Sequence, residues 1–285
     1  MLKEKAYAKI NLALDVIGKR HDGYHDLEMV MISVDLYDDL TFNVLNDDEI
    51  VITCNHPDVP TDERNLVHRA IRLMKEMHYI QEGVSVHIEK RIPVSAGLAG
   101  GSSNAAASIR AINRLFDLNL SLDEMYRIGE MIGSDVPFCV YGNIAFVTGR
   151  GEKIEPLPSI DPVWVVLVHP NIPVSTKEIF SNVSIDSLHH PSVRKVRQAI
   201  IDHHYDGMIH HMGNALEQVT FLLYPEVKRL KEHIQSLKPD VTLMSGSGPT
   251  LFALTQSKDL AIHIQRQLEE VLTEDVKIWV VNVKN

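Results

Sequence analysis

The sequence predicts an α+β protein of two domains. Three observations carry that prediction. Apolar and polar residues alternate in the first third, beginning with Ala8, Ile10, Leu12, Leu14 and Val16 against Lys9, Asn11, Ala13 and Asp15, which marks strands. Amphipathic helical patterns follow those strands. Three prolines within seven residues (Pro156, Pro158, Pro162) then lead into short strands interleaved with helices around a tight β-loop-β pair, the pattern of a two-layer plait. The boundary is placed at the prolines, giving domains over residues 1–155 and 156–285.

A chain of 285 residues with 45% hydrophobic and 23% charged side chains is ample for a sizeable core. Its net charge of −10 argues against a general nucleic-acid or anionic-membrane binder, so an anionic substrate must meet a local positive site. The two cysteines, Cys54 and Cys139, have no metal or redox spacing, which fits a reducing compartment. Met1-Leu2-Lys3-Glu4-Lys5 leads directly into a strand pattern without a signal-peptide core. No apolar run approaches the roughly 18 residues of a membrane span, and the expected location is the cytoplasm.

The first strand carries Lys9 and Asn11 on one face, two residues apart. Taken alone, that face reads as the polar side of an edge strand. Lys19 to Leu27 contains the turn signal Asp22-Gly23, with Tyr24 able to stack and His25 able to hydrogen-bond a base. Residues 29–54 read as strands around turns at Tyr37-Asp38-Asp39 and Asn46-Asp47-Asp48. Asp62 to Met77 reads as a helix with Leu66, Ala70, Leu73 and Met77 inward. Ser121 and Glu124 have capping-box spacing for a helix that Gly133 closes. Asp135 follows in the short segment Gly133-Ser-Asp-Val-Pro-Phe138, among apolar neighbours.

Beyond the prolines the pattern predicts strand 163–168, helices over 192–204, 210–223 and 225–237, and strands 241–244 and 251–254. A helix over 258–272 and a strand 278–283 complete it. Between the middle strands lies a second small-residue loop, Ser245-Gly246-Ser247-Gly248-Pro249-Thr250. His203, His204, His210 and His211 lack an accompanying ligand pattern and read as solvated helix-surface residues; no metal is assigned to them.

The most informative stretch is Pro93-Val-Ser-Ala-Gly-Leu-Ala-Gly-Gly-Ser-Ser-Asn-Ala-Ala106. Val84, Val86 and Ile88 alternate before it as a strand, and Ile109, Ile112, Leu115 and Phe116 place a helix over about 103–116 after it. Strand, glycine-rich loop and helix N-terminus read equally as an anion site or as a flexible or close-packed turn. Unpaired N–H groups and the positive end of the helix dipole converge there, and glycines let the backbone curl close. It is not a Walker A loop, which needs Lys before Ser/Thr, nor does it fit G-x-G-x-x-G.

Three motifs now stand in order: Ala8-Lys9-Ile10-Asn11-Leu12, the Pro93–Ala106 loop, and Met244 to Thr250. Over essentially its whole length the chain resembles the GHMP small-molecule kinases. His21-Asp-Gly-Tyr-His25 and Gly133 to Phe138 narrow the resemblance to the branch that phosphorylates the 2-hydroxyl of a cytidine diphosphate-linked methylerythritol. The resemblance implies a ribosomal S5 domain 2-like N-terminal domain, a ferredoxin-like C-terminal domain, and an active site in the cleft between them. It implies ATP and Mg²⁺, with no side chain assigned to the metal, a small-molecule substrate, and a monomer or homodimer.

By position in the motifs, Asp135 would be the catalytic base and Lys9 its partner. A carboxylate can accept the proton of a tertiary alcohol as it attacks, and a lysine holds that carboxylate ionised. Asn11 would orient the substrate. Pro93, Gly97, Leu98, Ala99, Gly100, Gly101, Ser102 and Ser103 would cradle the ATP phosphates, with Asn65, Leu66 and Lys90 around the adenine. Tyr24, His25 and Phe180 would hold the cytosine, and Gly246, Ser247 and Gly248 would close the site. Tyr7, Ala96 and Ala99 depart from the family pattern. Alanine is tolerated at the two loop positions only where φ is negative, which gives a slightly stiffer loop. The alternatives are a GHMP kinase for mevalonate, homoserine or a sugar, which has no use for His25 between two aromatics, and a non-catalytic nucleotide-binding paralogue, which should have lost Lys9 or Asp135.

Overall fold

The computed structural model describes residues 1–284. In chain order the first part contains β1 (Leu2–Lys19), β2 (His25–Leu45), β3 (Ile50–Cys54), α1 (Leu66–His78), β4 (Gly83–Glu89), α2 (Gly100–Leu115), α3 (Leu122–Ile132), α4 (Val136–Tyr141), β5 (Ile144–Gly149) and β6 (Lys153–Pro156). The second contains β7 (Trp164–His169), α5 (Thr176–Ser181), α6 (Val193–Ile201), α7 (Tyr205–His211), β8 (Gly213–Asn214), α8 (Leu216–Leu223), α9 (Pro225–Ser236), β9 (Val241–Met244), β10 (Leu251–Thr255), α10 (Lys258–Val271) and β11 (Lys277–Asn282).

Two sheets organise these elements. The larger runs β3-β4-β2-β1-β8, with β5 pairing β2 and β6 pairing β5. The smaller is antiparallel in the order β11-β7-β10-β9. Numbered within its own domain, that order is 4-1-3-2, the ferredoxin-like arrangement expected of the second part. Ala8, Ile10 and Leu12 point from β1 into a core shared with Val165 and Leu167 of β7, Phe252 of β10 and Val196 of α6. The two sheets are therefore joined through a continuous apolar layer. The opposite faces pack against helices, including Ala105, Ile109 and Ile112 of α2 and Ile71 and Met74 of α1.

β1 and β2 form a long antiparallel pair with register shifts between Tyr7 and Lys9 and between Asn11 and Ala13. Such irregularities bend a strand and re-aim its side chains. Here they flank Lys9 and Asn11, which are 4% and 0% exposed rather than on the polar side of an edge strand. Farther along, β8 pairs with Ala13 and Leu14 and so lines the edge of β1 opposite β2.

Several boundaries differ from the sequence pattern. Tyr37-Asp38-Asp39 is no turn; β2 continues through it, and Asp38 is wholly buried. α1 begins at Leu66, because Asn65 caps it by accepting from the Val67 N–H at 2.9 Å, leaving Asp62 in the preceding turn. α2 begins earlier, at Gly100. The predicted helices 192–204 and 210–223 are three, since His203 takes a φ of 51° and residues 213–214 leave helix to pair with β1. The capping box at Ser121 and Glu124 is present, and α3 ends at Gly133.

Candidate active site

Lys9 extends from β1 with its Nζ 2.8 Å from Asn11 Oδ1 and 4.0 Å from a carboxylate oxygen of Asp135. That separation is close enough for the charges to act on one another and too long for a hydrogen bond. Asp135 is the N-cap residue of α4, yet its side chain bonds no helix N–H, and about a third of it is exposed. Its lone pairs stay open to a ligand. Arg110 fixes the other end of α4, donating to the carbonyls of Cys139 (2.8 Å) and Val140 (3.5 Å). Cys139 adjoins the same group; burial, then the nearby Asp135 charge, push its thiol up to about 12, so it stays protonated.

The loop from Pro93 lies directly against β1, with the Lys9 N–H donating to the Leu98 carbonyl at 3.2 Å. Gly97 has φ +75° and Ala99 φ +56°. The expectation that alanine here sits at negative φ therefore fails at Ala99, whose left-handed conformation turns the chain into α2. Gly100 and Gly101 open that helix, and Leu66 lies 3.8 Å from where a Cβ on Gly101 would be. The helix N-terminus and a hydrophobic side chain thus adjoin, as a phosphate and its base require. Ser102 is half-buried. Ser103 instead donates its hydroxyl to the Tyr7 carbonyl at 2.7 Å, pinning α2 to β1.

The second domain's loop meets the first at close range. Ser245 Oγ donates to the Gly97 carbonyl at 3.0 Å. A Cβ on Gly97 would come within 2.3 Å of the Ser245 carbonyl oxygen, so only glycine fits there. Gly246, at φ +59°, lies where a Cβ would stand 3.4 Å from Lys9 Nζ and 3.7 Å from Asn11 Oδ1. Ser247 Oγ is 2.8 Å from Thr176 Oγ1, and Gly248 has φ +83°.

At the start of β2, His25 is buried and its ring faces that of Phe180 in α5, with centroids 5.4 Å apart at 32°. Burial, with Lys19 nearby, holds its imidazole below the ordinary value, so at neutral pH it offers one donor and one acceptor. Tyr24 is more than half exposed, with the Arg150 guanidinium 5.2 Å from its ring centroid.

Comparison with known proteins places this arrangement. Residues 65–143 match the GHMP kinases N terminal domain, and residues 188–274 match the GHMP kinases C terminal domain. The chain belongs to the GHMP kinase family. This GHMP kinase is 49% identical over 266 residues to a 4-diphosphocytidyl-2-C-methyl-D-erythritol kinase of Enterococcus faecalis, covering 93% of this chain and 94% of that one. A protein of the same name from Bacillus cytotoxicus is 49% identical over 250 residues, covering 88% and 86%. Among solved structures, a 4-(cytidine 5'-diphospho)-2C-methyl-D-erythritol kinase superposes with TM-score 0.83 at 30% identity over the full length of both chains. A homoserine kinase from Cytophaga hutchinsonii superposes at 0.79 with 19% identity, covering 99% and 95%, which speaks to fold alone.

In this GHMP kinase the fold brings Lys9, Asn11, Asp135, Gly97 and Gly246 together, and His25 with Phe180. Two residues expected at the adenine are engaged elsewhere. Lys90 directs its ammonium to Asp38 and its backbone to Asn55, and Asn65 uses its side chain on Val67 N and the Pro60 carbonyl. Leu66 remains free to contact a base. Asp38 itself was hidden by an apparent turn signal. Family membership implies ATP as phosphoryl donor. Among the described residues no group of three or more His, Cys, Asp or Glu could hold a metal ion, and no helix is long and apolar enough to cross a membrane.

Proposed function

We propose that this GHMP kinase transfers the γ-phosphoryl group of ATP to the 2-hydroxyl of 4-diphosphocytidyl-2-C-methyl-D-erythritol, a step of the non-mevalonate route to isoprenoid precursors. The observation that carries the substrate assignment is the His25–Phe180 pair at the end of the strand pair that also carries Lys9 and Asn11. A neutral imidazole can donate to the N3 acceptor of cytosine or accept from its N4 amine, and an aromatic ring beside it supplies a stacking face. Mevalonate, homoserine and sugars have no planar base to stack against that ring.

Asp135 takes the proton of the 2-hydroxyl as its oxygen attacks the γ-phosphorus and the bond to the β-γ bridging oxygen breaks. Lys9 has donors left after its bond to Asn11, and its charge favours both the ionised carboxylate and the oxygens of the transferring group. Asn11 orients the alcohol. The N–H groups of Gly97 to Ser103 receive the phosphates, with Leu66 against the base, and Gly246 to Gly248 cover the reacting end. A single carboxylate beside a bed of N–H groups and hydroxyls suits an Mg²⁺ that arrives with ATP and takes most of its ligands from phosphate oxygens and water. It would neutralise phosphate charge. We further assign the domain division to the junction of residues 155 and 156, at the start of the proline-rich stretch, and the enzyme to the cytoplasm.

Coupled measurement of ADP release, offering the cytidyl alcohol, mevalonate and homoserine separately, tests the assignment. Turnover selective for the cytidyl compound is expected, with His25→Ala raising KM for it at least tenfold more than KM for ATP. Turnover of mevalonate or homoserine instead, or equal KM effects on both substrates, would overturn it.

A further inference from the structure

Asn214 belongs to none of the three family motifs, yet the glycine loop over Lys9 hangs from it. It lies on β8, whose pairing with Ala13 and Leu14 ties it to the strand bearing Lys9 and Asn11, and the next N–H, of Ala215, donates to the Leu14 carbonyl at 2.9 Å. Its amide is 7% exposed and almost fully engaged. Nδ2 donates to the carbonyls of Met244 (2.8 Å) and Gly246 (2.7 Å), while Oδ1 accepts from the Leu216 N–H at 2.9 Å.

Two further side chains at helical spacing continue the grip. Glu217 Oε1 accepts from the Met244 N–H at 2.8 Å, its other oxygen held by Lys231 at 2.7 Å. Thr220 Oγ1 donates to the Ser247 carbonyl at 3.3 Å. Residues 214, 217 and 220 are three apart, so they lie along one side of the helix start and together reach backbone groups of Met244, Gly246 and Ser247. These three side chains bond only main-chain groups, which fits the glycines and serines that lie between Met244 and Pro249.

We infer that Asn214, with Glu217 and Thr220, is a positioning residue for phosphoryl transfer: it fixes the Gly246 backbone against Lys9, Asn11 and Gly97. The loop's one apolar side chain, Pro249, lies past Gly246 at its far end, and both glycines sit at positive φ. An ångström of drift at Gly246 would open the space over the Lys9 ammonium, and misplacements of that size cost on the order of 10²-fold in rate. This inference rests on the kinase reading above for its effect on rate, but not for its effect on the loop.

The test compares Asn214→Asp, which keeps the acceptor for Leu216 and turns both donors into an oxygen facing two carbonyls, with Leu268→Ala, a cavity in the buried face of α10. Hydrogen exchange of residues 244–250 is read in the free protein, and kcat and both KM values in the complete reaction. Asn214→Asp is expected to speed exchange at 244–250 at least tenfold and lower kcat about 30-fold or more, with KM for ATP within threefold. Leu268→Ala should do neither, though it lowers Tm. If Asn214→Asp is unstable, Thr220→Val serves, with accelerated exchange at Ser247 to Thr250 and a smaller fall in kcat. Unchanged exchange, or a kcat loss no greater than in Leu268→Ala, would overturn the inference. A wild-type protein inactive on the cytidyl alcohol yet showing the exchange difference would refute the kinase reading and leave the loop anchor standing.

Discussion

Lys90 pairs with Asp38 beneath the start of α2, both side chains almost wholly enclosed. Asp38 also accepts from the N–H groups of Arg91 (2.7 Å) and Ile92 (2.8 Å) and from Asn104 Nδ2 (2.8 Å). One carboxylate therefore ties β2 to the exit of β4 and to the N-terminal half of α2. A Cβ on Gly100 would meet Lys90 Nζ at 2.7 Å, so the ammonium lies directly under the helix start.

Replacing Lys90 by Met should strand a buried carboxylate and destabilise the fold by about 3 kcal/mol. The double variant Lys90→Met with Asp38→Asn should recover part of that loss, because no uncompensated charge remains. Denaturant unfolding of the three proteins measures both values. A single variant as stable as wild type would remove the pair from the scaffold.

Much of this molecule was legible in its sequence, and the exceptions share a cause. The loop before α2, the capping box at Ser121 and the strand bearing Lys9 follow from short-range rules that use side-chain type and spacing. What stayed hidden depended on partners distant in sequence. Asp38 looks like a turn residue until Lys90 and Asn104 surround it. Lys9 and Asn11 read as a solvated face until Asp135 and the Gly246 loop, both distant in sequence, come up against them. Lys90 sits at a position that resemblance gives to the nucleotide, while its charge is held by the neighbouring strand. Nothing local in Met212-Gly-Asn-Ala215 distinguishes Asn214 from an ordinary helix-start residue.

Ala99 and Ala96 should respond unequally to glycine. Ala99 holds φ +56°, a conformation costing an L-residue roughly 1–2 kcal/mol. Glycine relieves that strain and offsets its own entropic cost, so Ala99→Gly should change stability by less than about 0.5 kcal/mol. Ala96 is buried and outside the left-handed region, so Ala96→Gly loses a packed methyl and rigidity together, about 1–1.5 kcal/mol. Equal losses in the two variants would contradict the assigned backbone.

His169, buried in β7 with Nδ1 3.0 Å from Thr250 Oγ1, is pushed down to about 4 by burial. Between that value and the unfolded value near 6.5 the unfolded chain binds a proton that the native chain does not. Stability therefore rises with pH through this window, is fully present above about 6.5, and is lost as pH falls toward 4. The loss from this group is of order 3 kcal/mol. Unfolding free energies at pH 7 and pH 5 should differ less in His169→Gln than in wild type; an unchanged difference would assign the pH dependence to other groups.

The role given to Asp135 depends on a carboxylate 4.0 Å from Lys9 that bonds nothing else on α4. Asn keeps its shape and removes its capacity to take a proton. The decisive measurement is kcat of Asp135→Asn with ATP and the cytidyl alcohol, alongside the Kd for ATP. A fall in kcat of about two to four orders of magnitude with Kd nearly unchanged is the predicted result. Turnover within a few-fold of wild type would contradict it and take the proton transfer away from Asp135.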